Sequence, residues 1–143
     1  MGPTIAQLTR FSQYFRRFYA RQFTPLMERT GLTIRDIMVL LFLANHPEQD
    51  TARDVVEYRG LSKSQVSQAV EVLTGRGVLE RSPDREDRRV VHLRITEAGE
   101  PLAREAQELQ AACGARLLET LPEGERVLFL ELLTKVLEQA ERL

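Results

Sequence analysis

The sequence predicts a mainly α fold (α+β) in which a helix-turn-helix leads directly into a β-hairpin, with long helices before and after. Three observations carry this reading. Two short helical patterns are separated only by Arg59-Gly60-Leu61, the Gly-containing short turn of a helix-turn-helix. The apolar period then drops from about 3.6 to about 2 across residues 78–95. Both ends of the chain carry long amphipathic stripes of helical spacing.

In order along the chain, Ile5, Leu8, Phe11, Phe15, Phe18 and Phe23 recur at helix-like intervals from Thr4 to about Arg29. Tyr14 and Tyr19 widen that face, and Arg10, Arg16, Arg17 and Arg21 line the other side. One helix of about 26 residues, roughly 39 Å long, is expected there. Gly31 ends it as a left-handed cap. Thr33 restarts the chain with Asp36 at the capping-box position, and Ile37, Leu40, Leu41 and Ala44 form the next stripe up to His46-Pro47. Thr51 and Asp54 open a short helix with Ala52, Val55 and Val56 inward, broken at Gly60. Ser62 with Gln65 then starts a helix that buries Val66, Ala69, Val70 and Leu73 and ends at Gly75-Arg76-Gly77.

Val78–Ser82 and Val90–Ile95 alternate as strands, with Val91, Leu93 and Ile95 on one face and Val90, His92 and Arg94 on the other. The loop between them, residues 83–89, is too charged to bury. Helix-turn-helix plus hairpin is a winged helix. Helical spacing returns after Thr96 with Leu102, Ala106, Leu109, Cys113 and Leu117. Pro101 there lacks an N–H, so this helix is expected to begin near Glu100 or to bend at that point. A Thr120-x-x-Glu123 box with Pro122 opens the last helix, where Phe129, Leu132, Leu133, Val136, Ala140 and Leu143 form a stripe and Val127, Leu128, Leu130 and Leu137 lie off it. A helix apolar on so many sides needs more than one cover, and a second copy of the chain is the natural one.

Composition narrows the function. The 143 residues are 43% hydrophobic, enough for a core, and carry a net charge of −1, which argues against a protein coated in positive charge. The charge is nevertheless polarised. Residues 1–58 sum to +1, residues 59–94 to +3 and residues 95–143 to −5. A basic middle is where a nucleic-acid surface would lie. A single cysteine, Cys113, excludes an intramolecular disulfide framework. The longest apolar run, Ile37–Ala44, is about half a bilayer span, and no signal-peptide pattern is visible at the N-terminus. A cytoplasmic protein with no membrane partner is expected.

Opposite its buried stripe, the helix capped by Ser62 displays Ser64, Gln65, Ser67, Gln68 and Glu71. Short hydroxyls and amides suit the major groove, and glutamine can pair bidentately with adenine. Lys63, Arg59, Arg76 and Arg81 flank this face as phosphate contacts, because a flexible cation positions without specifying. At the hairpin tip Arg85, Arg88 and Arg89 are balanced by Asp84, Glu86 and Asp87. The Asp87-x-Arg89 spacing lets the carboxylate hold the guanidinium as a fork for a narrow minor groove, with Arg88 as its substitute.

The run Asp84-Arg85-Glu86-Asp87-Arg88-Arg89-Val90-Val91-His92-Leu93-Arg94-Ile95-Thr96-Glu97-Ala98-Gly99 resembles the wing signature of the MarR family of bacterial and archaeal transcription regulators. Gly31-Leu32-Thr33 and Leu61-Ser62-Lys63-Ser64 extend the resemblance to nearly the whole chain. It implies one domain over residues 1–143, with a winged helix-turn-helix lobe at 33–99 and dimerisation helices at 1–30 and 100–143. It further implies an obligate homodimer on a pseudopalindromic duplex, acting as a repressor released by a small anionic aromatic effector. In the family such ligands sit between the first, second and fifth helices, where Tyr14, Arg16 and Tyr19 would line the pocket; dimer packing and a solvated basic face explain the same residues equally well.

Two alternative functions are open to the same residues. Oxidant sensing would run through Cys113, but that residue lies on an apolar stripe, where a free cysteine behaves as a small hydrophobe. A winged helix serving only protein contacts is disfavoured by the Ser/Gln face and local basicity. His46 and His92 stand in no metal-binding pattern, and no Gly-x-Ser-x-Gly elbow, P-loop or dinucleotide fingerprint is present. No enzyme, metal or cofactor is expected.

Overall fold

A computed structural model describes residues 1–143. The elements are α1 (Ile5–Gln22), α2 (Thr24–Thr30), α3 (Ile34–Asn45), α4 (Ala52–Arg59), α5 (Lys63–Gly75), β1 (Leu79–Pro83), β2 (Val91–Ile95), α6 (Glu100–Leu117) and α7 (Glu123–Arg142). The chain divides into two compact units, Met1–Gln110 and Ala111–Leu143.

The first unit is organised around α3, whose residues Asp36–Leu43 are all buried. A helix apolar on every side must be enclosed, and α3 touches α4, α5 and β2. Phe23, Leu26, Val55, Val66, Leu73 and Leu79 complete the fully buried set around it. The three expected capping boxes, Thr33 with Asp36, Thr51 with Asp54 and Ser62 with Gln65, are all formed. A fourth, Thr4 with Gln7, opens α1. Gly31 and Gly60 end α2 and α4 in the left-handed region, at φ 75° and 68°, where an L side chain is strained.

β1 and β2 pair antiparallel, with Leu79 opposite Ile95 and Pro83 opposite Val91. An isolated two-stranded hairpin is marginal in water. This one is anchored by buried Leu79 and Leu93, through contacts of β1 with α5 and of β2 with α3 and α4. Val90 belongs to the tip rather than to the strand, because its N–H donates to the Asp87 carbonyl at 3.0 Å.

The joint between hairpin and α6 explains the Thr96-Glu97-Ala98-Gly99 run. The Thr96 N–H donates to the Val78 carbonyl at 2.9 Å. Its hydroxyl donates to the Gly77 and Val78 carbonyls and accepts the Gly99 N–H at 3.0 Å. A Cβ on residue 99 would lie 2.4 Å from the Val78 oxygen, so only glycine fits. α6 begins at Glu100, the first of the two outcomes expected from Pro101, which is its second residue, where the missing N–H would have had no helical partner. Arg29 of α2 pairs with Glu105 of α6. Ala103, absent from the expected stripe, is buried together with Ala106.

Two expected elements differ. The single helix over residues 4–29 is instead α1 and α2, separated at Phe23. Pro25 cannot donate to the Arg21 carbonyl; the Phe23 N–H turns to the Ala20 and Arg21 carbonyls, and α2 restarts with Pro25 in its first turn. The Thr120-Glu123 box also does not form. In the second unit the N-cap of α7 is Pro122, without a side-chain cap, which makes Glu123 the first helical residue.

Candidate nucleic-acid interface

α5 places its inward and outward faces as its spacing requires. Val66, Ala69, Val70 and Leu73 are buried, while Ser64, Gln65, Ser67, Gln68 and Glu71 are exposed. Two of the polar groups have local duties. Ser62 Oγ accepts the Gln65 N–H at 3.1 Å, and Gln65 Oε1 accepts the Ser62 N–H at 2.9 Å. Gln65 therefore keeps both amide N–H groups, and one lone pair of its oxygen, for a ligand. Ser67 and Lys63 instead line a cleft of about 700 Å³ between α4, α5 and the hairpin, with Val56, Val70, Arg81 and Val91.

The flanking cations separate into different roles. Lys63 is exposed at the first turn of α5. Arg81 pairs with Glu71 at 3.0 Å, joining β1 to α5. Arg59 reaches Met38 Sδ at 2.8 Å. Arg76 donates to the Thr30 carbonyl at the end of α2 and so closes a helix terminus. These contacts give Arg59 and Arg76 work within the fold that their place in the sequence did not reveal.

The wing tip is built by its carboxylates. Asp84 Oδ2 accepts the Glu86 and Asp87 N–H groups at 3.1 and 3.0 Å, shaping the turn. Asp87 accepts Arg89 Nε at 3.1 Å and Nη2 at 3.3 Å, together with the Arg89 backbone N–H at 3.0 Å. The fork expected from the spacing is present, and Arg89 still projects into solvent with 90% of its side chain exposed. The guanidinium holds the Asp87 carboxyl below its usual range. Arg85 and Arg88 are exposed beside it.

One cluster escaped sequence reasoning. His92 Nδ1 lies 2.7 Å from Asp50 Oδ1 and Nε2 lies 2.8 Å from Asp84 Oδ1. The imidazole thus ties the wing tip to the loop before α4, and the Leu93 N–H donates to the Asp50 carbonyl at 2.7 Å. Hydrogen bonds to Asp84 and then Asp50 raise the His92 pKa. The same His92 contact, aided by the Asp87 and Glu86 N–H groups, lowers Asp84 to about 2. Strand alternation placed His92 outward but could not supply a partner 42 residues away.

The residues named for an effector lie on α1. Tyr14 is half-exposed, accepts from Arg10 Nε at 2.8 Å and is overlaid by Arg10 and Arg17. Arg16 is exposed. The Tyr19 hydroxyl accepts from Gln110 Nε2 at 2.7 Å, while Gln110 and Gln107 both bond the Asn45 amide. None of the three lines the 700 Å³ cleft or a second cleft of about 400 Å³ bordered by Asp50, Arg94, Glu100 and Gln107. Cys113 is 2% exposed, and burial pushes its thiol pKa up. No group of three or more His, Cys, Asp or Glu side chains is arranged to hold a metal, and no helix is long and apolar enough to cross a membrane.

A helix-turn-helix formed by α4 and α5, followed by a hairpin with a charged tip, defines a winged-helix protein. The MarR family model matches residues 30–90. The resemblance in structure extends further. Transcriptional regulator PA3341 is 25% identical with a TM-score of 0.78, covering 96% of this chain and 98% of that one. CouR from Rhodococcus jostii RHA1, solved with p-coumaroyl-CoA bound, is 27% identical with a TM-score of 0.70 over 91% of this chain and 88% of CouR. BpsR of Bordetella bronchiseptica, whose DNA binding is regulated by 6-hydroxynicotinic acid, is 25% identical with a TM-score of 0.70 over 91% and 98%. No curated protein matches the chain by sequence. Over residues 30–90 the chain is similar to the MarR family, and over nearly its whole length its fold is similar to that of transcriptional regulator PA3341.

Proposed function

We propose that this chain is a sequence-specific, double-stranded DNA-binding repressor, active as a homodimer in the cytoplasm and released by a small anionic aromatic effector. The observation that carries DNA binding is the pairing of two surfaces on one lobe. The exposed hydroxyls and amides of α5 suit base edges. Beside them stands a wing whose Arg89 is held in a fork yet exposed, the form favoured in a narrow minor groove. Residues 33–99 would form the DNA lobe, with 1–30 and 100–143 as the dimerisation helices.

Dimerisation is supported separately by each terminal region. α1 leaves Ile5, Leu8, Phe11 and Phe15 exposed. α7 has no buried residue and exposes Val127, Leu130, Leu133, Val136 and Leu137 among others. Exposed apolar surface on that scale marks an interaction site. The effector is supported by what is bound to CouR and what regulates BpsR. Its contacts would be Tyr14, Arg16 and Tyr19, with the Gln110 amide beside the Tyr19 phenol.

Selection from random duplexes by the full-length protein tests this reading, with sedimentation measured in parallel. Enrichment of an inverted repeat by a particle of twice the chain mass is expected. A monomer, or a selected pool without a common motif, would overturn it.

A further inference from the structure

Gln68 is an exposed amide on the outer face of α5, but it is not free to turn. Arg35, in the first turn of α3, donates from Nη1 to Gln68 Oε1 at 2.7 Å. The same guanidinium donates from Nε and Nη2 to Asp36 Oδ1 at 3.2 and 2.9 Å. Asp36 is 2% exposed, and its other oxygen accepts the Thr33 N–H at 3.0 Å. A buried carboxylate thus fixes a planar guanidinium along one edge, and a second edge fixes the amide. The relay runs from the core outward to the recognition face.

Donor and acceptor chemistry decides which way the amide points. A guanidinium has only donors, so the Gln68 atom facing it is the carbonyl oxygen. The Gln68 NH2 is turned the other way, 3.5 Å from Ser64 Oγ, with a hydrogen remaining. We propose that Arg35 is a positioning residue that makes Gln68 a hydrogen-bond donor to DNA and thereby sets its base preference to guanine. Guanine offers two major-groove acceptors, O6 and N7. Adenine offers N7 beside an N6 donor, and bidentate pairing with it needs the amide oxygen, which Arg35 already holds by one lone pair and turns toward α3. The inference rests on the reading that α5 enters the major groove.

The test measures binding of the full-length protein to its selected duplex and to single-base variants of it. Wild type should prefer guanine over adenine at one position in each half-site by roughly tenfold, the size of one good base contact. Arg35→Ala should shift that position toward adenine, because the amide is then free to turn its oxygen toward the base. Arg35→Lys should do the same while keeping an ion pair to Asp36, since an ammonium lacks the second planar edge; it also controls for loss of fold. Gln68→Ala and Gln68→Ala/Arg35→Ala should share one flat preference there. A uniform loss of affinity in both Arg35 variants, with the base ranking unchanged, would make Arg35 a phosphate or structural contact and overturn the proposal. A wild-type base ranking retained in Gln68→Ala would overturn it while leaving DNA binding intact. Failure of wild type to select any duplex would instead overturn the DNA-binding reading.

Discussion

Replacing Gly99 with alanine drives a methyl group into the backbone of the hairpin joint. The added Cβ would stand 2.4 Å from the Val78 oxygen and 3.0 Å from the carbon behind it, about 1 Å inside ordinary contact distance. Neither atom belongs to a side chain that can rotate away. The Val78 carbonyl is itself held by the Thr96 N–H at 2.9 Å and the Thr96 hydroxyl at 3.2 Å. Relief therefore requires the start of α6 to move away from the turn before β1. Overpacking of this kind costs about 1–3 kcal/mol, and losing one or two hydrogen bonds adds about 1 kcal/mol each. For a chain of this size the combined loss lowers Tm by roughly 8–20 °C. Thermal unfolding followed by circular dichroism, at one protein concentration because the proposed association would contribute, measures it. Gly75→Ala is the control: nothing lies within 4 Å of its Cβ, and alanine in a helix is neutral or stabilising by about 0.4–1 kcal/mol. A Gly99→Ala protein melting within about 2 °C of wild type would refute the steric account.

The wing and the buried thiol give further expectations. Arg89→Ala should weaken binding and reduce the salt slope by about 0.9 per phosphate charge no longer neutralised, with Asp87→Ala a milder change in the same direction; unchanged affinity and slope in both would make the wing passive. Because the His92 pKa is raised by Asp84 and Asp50, the titratable groups that face it, its contribution to wing order is complete below about pH 6.5 and is lost as pH rises through the raised value. Asp84, lowered to about 2, keeps its contribution above the ordinary carboxylate range and loses it as pH falls toward that value. An NMR titration of the His92 ring should therefore show a midpoint above the ordinary value that moves down in Asp50→Asn, and a midpoint at or below about 6.5 in the parent would contradict the clamp. Cys113→Ala should cost at most about a few kcal/mol and leave DNA binding equally indifferent to peroxide; a peroxide-dependent release abolished by the substitution would reassign Cys113 as a sensor.

What could be read in advance was local. The capping boxes at Thr33, Thr51 and Ser62 link residues three apart, and the Asp87–Arg89 fork links residues two apart, so spacing alone contains them. The α5 stripe of Val66, Ala69, Val70 and Leu73 follows from period. The break at Phe23 is masked because aromatic spacing continues across it: Phe11, Phe15 and Tyr19 stack in succession at 6.1 and 5.7 Å, and Phe23 meets Tyr19 edge-on at 5.2 Å. The local signal of the break is Pro25, in the first turn of α2. The interface partners are of another kind. Arg35 meets Gln68 across 33 positions, Arg76 meets Thr30 across 46, and His92 meets Asp50 across 42. Such pairings depend on how α3 crosses α5 and on where the hairpin lies, and no one-dimensional pattern records them.

A hydroxyl-radical footprint of the full-length protein on its selected duplex tests DNA recognition most directly. Two recognition helices in a two-fold dimer lie about 34–36 Å apart, so two protected segments about one helical turn apart are expected. Outer minor-groove protection from the wing tips should flank them and disappear in Arg89→Ala while the central protection remains. A single unsymmetric protected segment, or flanks unaltered by Arg89→Ala, would contradict the two-surface account of this interface.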